Sequence, residues 1–144
     1  MKVMLILVGV LLAGCAAAPT STAGSGHRVQ PVCGAFQPSS DTVTLDGFVV
    51  SWVLRCPFRV NAGARVSERA DGRATELVRQ LTMPSGPRPE ACAAIEVLRA
   101  PFALVDAAGN AIEPVLPTDG CQPRKAIFDA LAALPFRAVE SENR

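Results

Sequence analysis

The chain has 144 residues, about one domain's worth, and fourteen Lys and Arg against thirteen Asp and Glu leave a formal charge of +1. That surplus is Lys2. Past residue 14 the basic and acidic side chains balance, so there is no electrostatic case for nucleic acid as a partner or for a basic membrane-surface patch.

Met1-Lys2 carries positive charge, and Val3 to Leu12 is apolar apart from Gly9. That run has the length of a secretory signal's apolar region and falls short of the about 20 residues a spanning helix needs. Leu12-Ala13-Gly14-Cys15 follows, and these four residues resemble the lipobox of bacterial lipoproteins. The resemblance implies that residues 1–14 are a signal peptide and that Cys15 becomes the lipid-bearing first residue. Two or three acyl chains hold a protein to a bilayer stably where one does not. The expected location is the extracytoplasmic face of the cell membrane.

Four cysteines remain: Cys33, Cys56, Cys92 and Cys121. An even number in a small exported domain points to two disulfides. Three connectivities are open; Cys33–Cys56 and Cys92–Cys121 are favoured because each closes one local unit, with roughly 3 kcal/mol of stabilisation apiece. No pair has metal-ligand spacing and no histidine accompanies them, so neither a metal nor another cofactor is expected.

In chain order, residues 15–30 (Cys15 to Gln30) are small and polar and are expected to form a lipidated, flexible tether of roughly 20 Å, with His27 solvated inside it. The folded domain is expected over 31–144. Thr42–Leu45, the turn signal Asp46-Gly47 and the alternating run Phe48, Val50, Trp52, Leu54, Cys56 predict a hairpin with Trp52 in the core. Arg65–Ala70 is a more polar strand. Asp71 resembles a helix N-cap, and Ala74, Leu77, Val78 and Leu81 form one apolar stripe that Pro84 ends. The Pro87/Pro89 segment leads to Cys92. A strand region from Ile95 to Asp106, a loop through Asn110 and a return strand to Leu116 follow, with Pro114 expected at a sheet edge or bulge. Pro123 opens a second helix with Ile127, Ala130, Leu131 and Leu134 on one face, and Phe136–Val139 adds a last strand. The sum is an α+β domain: an antiparallel sheet with two helices on one face and two disulfides.

Thr75 to Phe136 resembles a group of small actinobacterial secreted lipoproteins of unknown function. The resemblance lies in Leu81-Thr82-Met83-Pro84, Ala91-Cys92, the Phe102–Val115 hairpin and Asp119-Gly120-Cys121-Gln122-Pro123-Arg124; Gln122 departs from the usual form. It implies export and a fold, but no activity.

No catalytic residues are assigned. A triad would need His27, which a tether cannot hold in geometry, and there is no C-x-x-C. Glu68 with Asp71, or Asp106 with Glu113, are carboxylate pairs of the kind that are usually solvated surface. Arg65, Arg69, Arg73 and Arg79 form a possible anion cluster, with interleaved Glu68, Asp71 and Glu76 to neutralise it. The leading expectation is therefore a non-enzymatic envelope module that binds or scaffolds another envelope protein or a ligand. The alternative is a protease inhibitor, since the Cys92/Cys121 spacing is similar to that of the bacterial subtilisin-inhibitor family; an exposed rigid loop beside that disulfide would favour it. An envelope hydrolase ranks third.

Overall fold

A computed structural model describes residues 24–33, 38–59, 64–93 and 99–139. The expected signal peptide, Cys15 and the first part of the expected tether lie outside the described residues. The fold is α+β, with a seven-stranded antiparallel sheet, two helices and two disulfides. In chain order the sheet strands are β1 (Ser25–Val29), β2 (Thr42–Thr44), β3 (Trp52–Arg55), β6 (Glu68–Asp71), β7 (Phe102–Val105), β8 (Ala111–Pro114) and β11 (Arg137–Ala138). Two small ladders stand apart, β4 (Phe58–Arg59) with β5 (Ala64–Arg65) and β9 (Thr118–Asp119) with β10 (Gln122–Pro123). Helix α1 is Thr75–Thr82 and α2 is Lys125–Ala132. The sheet runs in the order β11-β6-β3-β7-β8-β1-β2.

Both helices lie on one face. Leu77 and Leu81 of α1 and Ile127 and Leu131 of α2 pack with Leu45, Val50, Val53, Phe102, Leu104 and Ile112. Burying each of these helix side chains is worth roughly 2 kcal/mol, so the apolar stripes, rather than the cap residues, hold the helices in place. The opposite face buries Leu54, Ala103, Val105 and Ala111 beneath the Cys33–Cys56 disulfide, with Val29 and Trp52 against them. The central strands β3 and β7 are thus covered on both sides, which is why Phe102–Val105 is buried at every position.

Four expectations need correcting. Ser25–Val29 is not tether: β1 pairs with β8 from Gly26↔Pro114 to Val29↔Ala111 and with β2 from Ser25↔Thr44 to His27↔Thr42. The chain joins the fold by Gly24, where an added Cβ would collide with Leu81 O and stand 3.2 Å from Leu45 Cδ1. Secondly, β2 and β3 do not form a hairpin; three strands, β7, β8 and β1, lie between them, with β2 at the edge beside β1 and β3 between β6 and β7. The period-two run also breaks phase, because Phe48 and Val50 pack on the helix side while Trp52, Leu54 and Cys56 belong to the other face. Thirdly, Asp71 closes β6 instead of capping α1; the cap position is Ala74, in the left-handed region at φ 47°, and no side chain caps it. Finally, Pro114 is not at an edge. It ends β8 inside the sheet, opposite Gly26.

The exposed face of α1 carries one titration signature. Arg79 and Gln80 both donate to Glu76, and these hydrogen bonds hold its carboxyl at about 2. The native state therefore binds fewer protons than the unfolded chain between pH 4.5 and about 2, and stability falls as acid titrates this group. Denaturation at pH 5 and pH 2.5 should show a smaller acid loss in Glu76→Gln than in wild type. Because the pair is exposed, added salt should shrink the difference.

Candidate functional site

The site is a split in the sheet. β7 and β8 pair only at Leu104↔Ile112 and Val105↔Ala111. Continuing that register would set Phe102 against Pro114, which has no N–H to donate. Instead each strand follows its other neighbour: Cys56 N–H bonds Pro101 O on the β3 side, and Val115 N–H bonds Ser25 O on the β1 side. The divergence opens a cleft of about 210 Å³. Pro101 and Phe102 line one wall, Pro114 and Leu116 the other, and Phe128 of α2 contributes its ring. Arg99 stands at the cleft with its guanidinium 3.5 Å from the centre of the Phe128 ring. The lining carries no hydroxyl, thiol or imidazole.

Glu113 also lines the cleft, but strand alternation turns its side chain to the disulfide face, as for Ala111 two residues before it. There the register sets it directly opposite His27. Burial pushes the Glu113 carboxyl up, and the nearby His27 partly opposes the shift. Nδ1 of His27 is buried without a hydrogen-bond partner. The sign follows: as pH rises from 4.5 through the raised value, the unfolded chain releases its proton first and stability declines. Glu113→Gln should remove that decline, so its melting temperature relative to wild type should be higher at pH 8 than at pH 4.

The remaining sequence candidates are dispersed into structural pairs. Glu68 is buried and accepts from Arg55 Nε at 2.9 Å. Asp71 accepts from Arg69 at 2.6 Å and from Arg137 at 3.4 Å. Asp106 is taken up by its own hairpin loop, accepting from the backbone N–H groups of Ala108 and Asn110 and from the Asn110 side chain. Its carboxyl is held low by the Asn110 bond first of all. Arg69 lies over the Trp52 ring at 4.4 Å, and Arg79 is bound to Glu76, so neither joins an anion site. Arg73 borders a separate hollow with Phe48, Val49 and Val78. Among the described residues no group of three His, Cys, Asp or Glu is placed to hold a metal ion.

The disulfides are Cys33–Cys56 and Cys92–Cys121. The second sits in a knot that sequence reasoning left unexplained. Arg124, buried just before α2, donates to both oxygens of Asp119 and to the carbonyls of Gln80 and Pro84. Ser85 and Gly86 bond Thr118. Met83-Pro84 and Asp119–Arg124, the motifs of the resemblance, are therefore the two halves of one clamp. It leaves residues 87–91 exposed beside Cys92. The cleft was missed for a different reason: Arg99 and Phe128 are distant in sequence, and Pro114 is the single local signal of the split. Comparison of the chain with family models, with curated proteins and with solved structures gave no match.

Proposed function

We propose that the protein is a lipid-anchored extracytoplasmic binding module, attached to the cell membrane through Cys15, which acts without catalysis and takes its ligand in the β7/β8 cleft. The observation that carries the binding role is the cleft itself: apolar walls, one guanidinium at the rim, no hydroxyl, thiol or imidazole in the lining, and the Glu113 side chain turned to the opposite face. The address rests on Lys2, the apolar run and Leu12-Ala13-Gly14-Cys15, and two disulfides suit an oxidising compartment. The ligand is either a small molecule or a segment of another envelope protein.

One observation favours a second reading, protease inhibition. Pro87-Arg88-Pro89-Glu90 is exposed and extended by its prolines, and it is pinned between the Arg124 clamp and the Cys92–Cys121 disulfide. Pinning of this kind lowers the entropy cost of docking. Photoreactive residues placed at Leu116, at Arg88 and at Val49 in the full chain, crosslinked in intact bacterial envelopes, separate the readings. Adducts confined to Leu116 support the cleft, and an exported protease on Arg88 supports inhibition. Absence of adducts, or equal labelling that includes the distant Val49, contradicts both.

A further inference from the structure

Resting on the reading of the cleft as a binding site, we infer that its ligand is a small apolar monocarboxylate, with the carboxylate held by Arg99 and the apolar body between Phe102, Leu116 and Phe128. The size of the cleft comes first. At about 210 Å³ it lies below the ~300–1,000 Å³ of sites for drug-sized molecules, which limits the ligand to about ten non-hydrogen atoms.

The charge pattern then selects the chemistry. Arg99 is exposed and makes no ion pair or hydrogen bond with any described residue. Its contact is the Phe128 ring, whose centre lies 3.5 Å from the guanidinium carbon; the ring takes up no N–H donor in a hydrogen bond to an acceptor atom, so the five donors stay open to a ligand. An ordered guanidinium with an open edge takes a carboxylate through two parallel hydrogen bonds. No carboxylate competes from within, because the Glu113 side chain faces His27 on the other side of the sheet. On the helix side the wall side chains are proline, phenylalanine and leucine, none of which accepts from a ligand ammonium, so a simple acid fits better than a free amino acid.

The test uses the full chain carrying Cys15→Ala, which removes the lipid and hence the need for detergent. Octanoate and 1-octanol are titrated separately, and the Phe102, Leu116 and Phe128 amide signals are followed by NMR. Octanoate should bind with Kd on the order of 0.1–1 mM, and octanol about tenfold more weakly. Arg99→Met should lower octanoate affinity to the octanol level and leave octanol unchanged; because Arg99 is exposed, the variant keeps the fold. Equal affinities for the two probes, an unchanged octanoate affinity in Arg99→Met, or no binding of either at millimolar concentration would overturn the inference. A Leu116 crosslink that persists in the envelope under any of those results leaves the binding reading intact and discards only the acid.

Discussion

Arg124→Ala is expected to destabilise the protein by about 3 kcal/mol or more, the largest loss from any single polar side chain described. The side chain is 10% exposed and binds three partners from two other segments. Its Nη2 donates to Pro84 O at 2.8 Å and Asp119 Oδ1 at 3.0 Å, while Nη1 donates to Gln80 O at 3.3 Å. Removing it leaves two carbonyls at the end of α1 without their donor, each costing about 1–3 kcal/mol, and frees Asp119 to solvent. Asp119 is 58% exposed, so its charge is not stranded, and this keeps the cost below that of breaking a fully buried pair. A thermal melt should fall by roughly 12 °C. Arg124→Lys should recover only part of this, because one ammonium cannot reach Asp119 and both carbonyls together. Asp119→Asn should cost clearly less than Arg124→Ala; the reverse order would show that the ion pair outweighs the carbonyl contacts.

Gly26→Ala is the second large effect, expected at about 2–3 kcal/mol. A Cβ at this position would collide with Ile112 Cγ2 and stand 2.6 Å from Glu113 O. Behind the Ile112 methyl stands ladder backbone of β8, which cannot swing away as a flexible side chain would. β1 must therefore lift, and with it the bond from Val115 N–H to Ser25 O that draws β8 away from β7. Hydrogen exchange should show lost protection at Val115 and along Ser25–Val29, with the β3/β6 amides unchanged. Gly47→Ala is the contrast: nothing lies within 4 Å of its Cβ, and its φ of 74° confines the cost to about 1 kcal/mol. If Gly26→Ala were as mild as Gly47→Ala, β1 would be a loosely held strap instead of part of the sheet.

These two residues also mark the limits of local reading. Helix faces were legible because Leu77/Leu81 and Ile127/Leu131 repeat at a spacing of four, a pattern that needs no knowledge of partners. The antiparallel character and the Asp106–Asn110 loop were legible from turn chemistry. β1 was not, since Ser25-Gly26-His27-Arg28 has a linker's composition and becomes a strand only because β8 and β2 supply ladders on both sides. The hairpin expected at Asp46-Gly47 failed for a related reason: the turn forms, but Val53 and Leu54 are both buried, and a strand covered on two faces is free to pair with β6 and β7 instead. The same locality hid the cleft. Pro114 was legible as a place where a ladder must stop, but the sequence does not say which strand lies across from it, and Arg99 meets Phe128 only through the sheet order.

The proposed membrane anchor at Cys15 is tested most directly by the intact mass of the protein recovered from the envelope of a bacterium expressing the full chain. The predicted mass is that of Cys15–Arg144 plus a diacylglyceryl group and a further acyl chain, and Cys15→Ala should abolish the lipid mass. A chain that begins elsewhere, or that begins at Cys15 without lipid, would contradict the proposed anchor.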